Sequence, residues 1–231
     1  MDILGRDLLR AAAVAALLAM APATGPAGAA AEPGLDALCR RVDGAWASVR
    51  TYQANLAWPN PESRRAEDQG CGLFLYQRPD RWMLEFHTPR PEKYLVRGDE
   101  GWIYVGRLRQ AVHYRLKPEE RAQVGLLILG QPTSELARIY RLGTRPTPED
   151  RRLMRAGAPA LTLEPLRPGT LAVRRAVLFL DPATYLPRKV RIQLESGEDL
   201  RMELSRAVKN GRLDAALWTA TFPESTHVIE Q

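Results

Sequence analysis

From Gly72 to Val105 the chain alternates apolar and polar residues, GLFLYQRPDRWMLEFHTPRPEKYLVRGDEGWIYV, with interruptions at Arg78-Pro79, at Pro89 and Pro91, and at Arg97-Gly98-Asp99-Glu100-Gly101. A period of two with proline and glycine punctuation predicts four antiparallel strands in succession. In the second of these Trp82, Leu84 and Phe86 fall on one face and Met83, Glu85 and His87 on the other, because side chains alternate across a strand. Phe74 and Tyr76 of the preceding strand extend the aromatic face, and Arg78 stands at its end, where Pro79 stops the ladder.

Upstream of this block Leu35, Leu38, Val42, Ala45, Trp46 and Val49 recur at steps of three and four, which predicts an amphipathic helix. Thr51 to Trp58 then alternates, with Tyr52, Ala54, Leu56 and Trp58 on one side, and predicts a strand ending at Pro59; the polar stretch from Pro59 to Gln69 reads as a loop. Ala111 to Leu116 predicts another short strand. Pro118, Glu119 and Glu120 open a helix that Gly130 closes. Its second half, Val124-Gly125-Leu126-Leu127-Ile128-Leu129, is apolar all round, so it is either sunk in a core or has a second face closing over a greasy cavity. Thr133 or Ser134 is placed to cap a further helix through Tyr140, and the proline-broken run Arg145 to Asp150 reads as loop. Strands are then expected at Leu161–Glu164, Arg174–Leu180, Pro187–Glu195, Leu200–Arg206 and Leu217–Phe222, with turns at Asp181-Pro182, Ser196-Gly197 and Asn210-Gly211. About ten strands, with helices only at the start and middle, predict a mainly β (α+β) fold, a strongly curved antiparallel sheet forming an open half-barrel.

Composition narrows this picture. The 231 residues, 45% of them apolar, suffice for one well-buried domain. Residues 1–30 carry Arg6 and Arg10, the apolar run Ala11 to Ala21, and small-residue sites such as Ala27-Gly28-Ala29, the layout of a cleaved secretory signal peptide. That run is shorter than the about 20 residues a membrane span needs. The single expected domain is therefore 31–231, exported and soluble. The net charge of +6 belongs to that domain, since Asp2 and Asp7 cancel Arg6 and Arg10. Export argues against nucleic acid as the partner, and Arg64, Arg81, Arg107, Arg109, Arg151, Arg174 and Arg191 are scattered in the manner of a solvated surface. Cys39 and Cys71 in an oxidising compartment suggest a disulfide, which for a loop of this length adds about 4 kcal/mol, against the alternative of two separate thiols.

The chain has no Gly-x-Ser-x-Gly elbow, phosphate loop, His-Glu-x-x-His or Cys-x-x-Cys. His87, His113 and His227 are dispersed, and Asp99-Glu100 sits in a glycine-flanked turn. No enzyme activity, cofactor or metal is expected.

The order of features is a glycine, an alternating strand, Arg-Pro, an aromatic strand ending in Pro, a strand ending at Asp-x-Gly, and Trp-Ile-Tyr. With the N-terminal helix, the apolar insert from Pro118 to Gly130, Leu161-Thr162-Leu163-Glu164-Pro165 and the C-terminal hairpins, it resembles the LolA family, periplasmic carriers of outer-membrane lipoproteins. The resemblance spans nearly all of 31–231 and rests on order and spacing together. It implies a soluble periplasmic monomer that shields lipoprotein acyl chains, receives them from an inner-membrane ATP-driven transporter and delivers them to an outer-membrane receptor. The cavity would be lined by Tyr52, Leu56, Phe74, Tyr76, Trp82, Leu84 and Phe86, residues that ordinary core packing would equally well place inside. The lid, an insert near 118–142, would present Val124, Leu126, Leu127, Ile128 and Leu129, and Arg78 would latch it. Two alternatives share the same pocket: a periplasmic domain that senses lipids or lipoproteins, and a carrier of another acylated envelope lipid.

Overall fold

In the computed structural model the described residues are 34–58, 70–88, 91–116, 130–155, 157–169 and 173–230. The expected signal peptide, the expected loop 59–69, residues 118–129 of the expected apolar helix and the expected lid residues Val124, Leu126, Leu127, Ile128 and Leu129 lie outside them. The chain is mainly β. Its strands are β1 Thr51–Trp58, β2 Gly70–Gln77, β3 Arg81–Thr88, β4 Glu92–Arg97, β5 Glu100–Val105, β6 Gln110–Arg115, β7 Tyr140–Gly143, β8 Ala160–Pro165, β9 Val173–Leu180, β10 Pro187–Leu194, β11 Asp199–Lys209 and β12 His227–Glu230. These twelve are hydrogen-bonded in the order β12-β6-β5-β4-β3-β2-β1-β11-β10-β9-β8-β7; β12 and β7 are the two ends, so the sheet is not closed into a barrel. The helices are α1 Leu35–Ala47, α2 Thr133–Leu136 and α3 Pro148–Leu153. The chain divides into two compact units: the first falls within Met1–Ser48 and Glu119–Arg201, the second within Val49–Pro118 and Met202–Gln231.

In the first unit, α1 buries Leu38, Val42 and Trp46, the stripe that the three-and-four spacing predicts. Arg41 donates to the Tyr185 hydroxyl in the β9–β10 turn, and Asp43 accepts from the backbone N (2.8 Å) and hydroxyl (2.7 Å) of Thr133. That second contact explains why Thr133 does not cap the helix expected here: its hydroxyl is committed to Asp43, and α2 is a single turn begun after Pro132. The expected helix through Tyr140 is replaced by β7, where Tyr140 pairs with Pro165 and Leu142 with Leu163. Of the expected loop 145–150, residues 145–147 are non-helical and 148–150 instead begin α3. Thr147 caps it and Asp150 reaches back to the Thr147 backbone N, with Pro148 at the first helical position, where a missing N–H costs nothing.

This helix sits over one face of β8, β9 and β10. Leu153 and Met154 pack on Ala160, Val177 and Phe179. Arg191, expected at the surface, projects from that same face and is buried, because α3 supplies Asp150 (2.9 Å) and Glu149 (2.7 Å) while Asp199 accepts at 2.8 to 3.1 Å. Arg175 adds a 2.6 Å bond to Asp150, which is itself fully buried. Burial acts to raise the Asp150 pKa, but the bonds from Arg175, Thr147 and Arg191 outweigh it and hold the carboxyl at about 2. Arg191 is raised above its ordinary value chiefly by Asp199.

In the second unit β1 to β6 form an antiparallel meander in the predicted succession, each strand paired with the next. Gly72 is required by close backbone approach: a Cβ there would lie 1.9 Å from the Glu85 carbonyl oxygen. The strand expected over Leu217–Phe222 is not one. Ala215–Trp218 forms a 3-10 turn capped by Asp214, and Leu213, Leu217, Trp218, Ala220 and Phe222 pack on Leu75, Met83, Leu95 and Trp102. The apolar residues that suggested a strand are thus used in side-chain packing, without a ladder. The last strand, β12, pairs parallel with β6, and His113 Nδ1 lies 2.6 Å from Glu230 Oε2 while its ring stacks on Trp102.

Candidate functional site: the aromatic face of β1 to β6

Antiparallel partners share a face, so the register of the second unit can be read as cross-strand rows. The first row, beside the turns at 78–80 and 98–99, is Tyr52, Tyr76, Trp82, Val96, Gly101 and Tyr114. The second is Ala54, Phe74, Leu84, Tyr94, Ile103 and Val112; the third is Leu56, Gly72, Phe86, Glu92, Val105 and Gln110. All seven residues read from the sequence as a set, Tyr52, Leu56, Phe74, Tyr76, Trp82, Leu84 and Phe86, therefore stand on one face, and all are buried. Sequence reasoning stopped at the third strand. Tyr94, Val96, Ile103 and Val105 continue the same face and are equally buried, and the alternation in β4 and β5 already carried that signal.

The rings of this face contact one another in two groups. Tyr52 and Phe74 lie with centroids 6.0 Å apart, Trp58 and Phe86 5.1 Å, and Phe86 and Tyr94 6.0 Å edge to face. The Tyr94 hydroxyl donates to Glu92 at 2.7 Å, so this phenol joins the face with its polar tip satisfied. Gly101 has no Cβ because the Tyr114 ring occupies that space, 2.3 Å from where the atom would be. Burial raises the Tyr114 pKa, and the phenol stays neutral. Trp82 Nε1 is buried with no hydrogen-bond partner.

The unit supplies its own cover for the opposite face. The described elements other than strands are two 3-10 turns, Gly106–Leu108 between β5 and β6, and Ala215–Trp218 on the Leu75, Met83, Leu95 and Trp102 side.

Arg78 is exposed in the turn between β2 and β3, where its backbone N donates to the Arg50 carbonyl at 2.8 Å, and the lid residues 124–129 it was expected to latch lie outside the described residues. Cys39 and Cys71, the expected disulfide pair, are both free thiols in this structure. Each is oriented by a neighbour of its own. Cys39, half-buried on α1, bonds to Thr133, and burial raises its pKa; Cys71, exposed on β2, lies 3.2 Å from the Thr88 hydroxyl of β3. Among the described residues no group of three His, Cys, Asp or Glu side chains is placed to hold a metal ion, and no helix is long and apolar enough to cross a membrane.

No protein-family model matches the chain, and no curated protein matches it. Solved structures do. An uncharacterized conserved protein from Thermus thermophilus is similar at a TM-score of 0.50 and 16% identity, over 85% of this chain and 98% of that one. The LolA superfamily protein NE2245 from Nitrosomonas europaea is similar in fold at a TM-score of 0.41 and 14% identity, over 80% and 97%. The complex structure of Pseudomonas aeruginosa MucA/MucB contains a chain similar at a TM-score of 0.42 and 17% identity, over 82% of this chain but only 62% of that one. At these identities the likeness is one of fold.

Proposed function

We propose that the protein is a periplasmic carrier that shields the acyl chains of lipoproteins against the aromatic face of β1 to β6 and shuttles them from the inner membrane to an outer-membrane acceptor. The observation that carries this reading is the face itself: three rows of largely apolar side chains across six strands, in a unit whose Ala215–Trp218 turn packs on the opposite side. A sheet surface of that kind suits hydrocarbon, which asks for apolar area and little directional bonding.

The energetics require partners on both sides. At about 0.8 kcal/mol per buried methylene, three long acyl chains represent on the order of 30 kcal/mol of transfer free energy, too much for unaided escape from a membrane. Loading therefore belongs to an inner-membrane ATP-driven transporter, and delivery to a receptor that holds the chains more tightly than this face does. The exposed Arg78, at the turn end of the face, is assigned the latch: its guanidinium carries five donors, and hydrogen bonds from a charged group are worth about 1.5 to 3 kcal/mol each. A few such bonds to lid carbonyls hold an empty carrier shut and yield when acyl chains enter.

Gentle purification from the envelope followed by native mass spectrometry and lipid extraction tests the proposal. An acylated protein released from the carrier is the expected result. A consistently empty protein sinks it, and a free acylated lipid in place of a lipoprotein redefines the cargo.

A further inference from the structure

Five tryptophans occur in the chain, and the one in the middle of the first row is set apart by its surroundings. Trp82 is only 2% exposed, and its Nε1–H has no acceptor. Among the described residues it is the one buried side-chain polar atom on this face that lacks a partner; Tyr94, in the next row, spends its hydroxyl on Glu92. Burying an N–H donor without an acceptor costs free energy, and a ligand that brings an acceptor recovers it.

The position of the donor along the face matters as much as its lack of a partner. The first row borders the polar turns, which carry the exposed Arg78, Asp80 and Asp99 and where Gly98 N bonds to the Asp80 carbonyl at 3.2 Å, while Arg81 and Arg97 project from the opposite face, Arg97 over the Trp102 ring. The second row, Ala54, Phe74, Leu84, Ile103 and Val112 around the satisfied Tyr94, offers hydrocarbon nothing but apolar contact. Passing inward, the order is charged turn residues at the edge of the face, then an unused N–H donor set among aromatic rings, then apolar surface. An acyl ester has that same order: a polar backbone, a carbonyl oxygen that accepts one hydrogen bond, then a methylene chain. We infer that Trp82 Nε1 is a carbonyl-anchoring donor, fixing the ester oxygen of an acyl chain at the first row so that the chain lies across the second. This rests on the carrier reading above and adds to it a point of registry, so that the site recognises an ester-linked chain and not merely a hydrophobic one.

The test compares probes that differ in the carbonyl alone. Dipalmitoylglycerol and a synthetic peptide bearing a dipalmitoylated glyceryl cysteine present the ester from a free lipid and from a protein, and dihexadecylglycerol presents the same chains through ether oxygens. With indole-15N labelling, the Trp82 Nε1–H resonance, assigned by its absence in Trp82→Phe, is expected to move downfield and exchange slowly with either ester and to move little with the ether. Trp218, whose Nε1 is likewise buried without a partner but on the other face, serves as the control and stays put. Trp82→Phe keeps a ring in the row and removes the donor; it is expected to lose about three- to ten-fold in affinity for the ester that is the true cargo and nothing for the ether. If wild type binds all three probes alike, with the Trp82 resonance unmoved and Trp82→Phe indistinguishable, the anchoring role is overturned and the carrier reading stands. If no probe binds wild-type protein, both fall together.

Discussion

Replacement of Asp150 by Asn is the sharpest test of what holds the first unit together. The carboxylate is fully buried and accepts four bonds: from Thr147 N and Oγ1 at 2.8 Å each, from Arg175 at 2.6 Å and from Arg191 at 2.9 Å. Asn preserves the shape but cancels the charge and turns one oxygen into a donor facing a guanidinium, that of Arg191 at Oδ1 or that of Arg175 at Oδ2. Arg191 keeps Asp199 and Glu149, so its own charge is not abandoned; Arg175 falls back on a looser 3.4 Å contact with the half-exposed Glu164. Removing one partner from a buried ion pair costs about 3 to 5 kcal/mol, and the surviving contacts of Arg191 place this case at the lower end. The carboxyl's displacement from 3.8 to about 2 corresponds to a contribution on the order of 2 kcal/mol.

The same displacement fixes the pH dependence. The folded carboxyl binds a proton less readily than the unfolded one, so its contribution is complete above pH 4 to 5 and is lost as the pH falls toward 2; about half remains at pH 3. Urea unfolding at pH 7, 5 and 3 should therefore show Asp150→Asn less stable by about 2 to 3 kcal/mol at the two higher values, with the gap narrowed by about 1 kcal/mol at pH 3. A variant within about 0.5 kcal/mol of wild type at pH 7, or a gap that does not narrow in acid, would mean that the ion cluster does not stabilise α3 on the sheet.

Three further outcomes bear on the second unit and the thiols. Trp82→Glu puts a carboxylate into the first row, where desolvation costs several kcal/mol, so cargo should be lost from the purified protein while near-ultraviolet circular dichroism still reports a folded sheet; retention of lipoprotein at the wild-type level removes Trp82 from the binding face. Arg78→Leu, at an exposed turn, should leave stability within about 0.5 kcal/mol and still accept cargo, but release it poorly to outer-membrane vesicles; wild-type transfer would reduce Arg78 to surface decoration. Alkylation without reductant should label both cysteines, Cys71 first because it is exposed, and Cys39 slowly because burial keeps its thiol protonated. Mass unchanged until reductant is added would restore the bridge.

The strands from β1 to β6 were legible because proline and glycine punctuate them and because each alternates within its own six to eight residues. What failed was decided elsewhere in the chain. Leu136, Ile139 and Tyr140 keep helical spacing, yet Tyr140 is claimed by Pro165 in a four-residue strand too short to declare itself. Arg191 looks like any outward residue of an alternating strand; only α3, brought in from 41 positions away, turns it inward chemically. That helix was in fact announced by Thr147-Pro148-Glu149-Asp150, but a proline was read as a breaker where it was a starter. Of the site, the membership of the face could be read in the sequence. Whether the indole N–H on it finds a partner could not, since satisfaction of a polar atom depends on every neighbour at once.

The two faces of the β1 to β6 meander make the carrier reading a question of exchangeability. Both faces are apolar and both are buried, so burial alone does not distinguish core from site. The difference lies in the bonding of what is packed on each. Trp218 and its neighbours belong to a capped turn of the same unit, continuous in sequence with β11 on one side and β12 on the other, and removing them from Leu75, Met83, Leu95 and Trp102 would mean undoing that segment. Hydrocarbon competing there would have to overcome a cover tied to the unit at both ends. On the aromatic face the unit supplies no such turn among its described residues, and the first row holds an N–H donor with no partner. The covered face holds an unpartnered indole too, in Trp218, so what separates the two faces is the tied cover and not the donor alone.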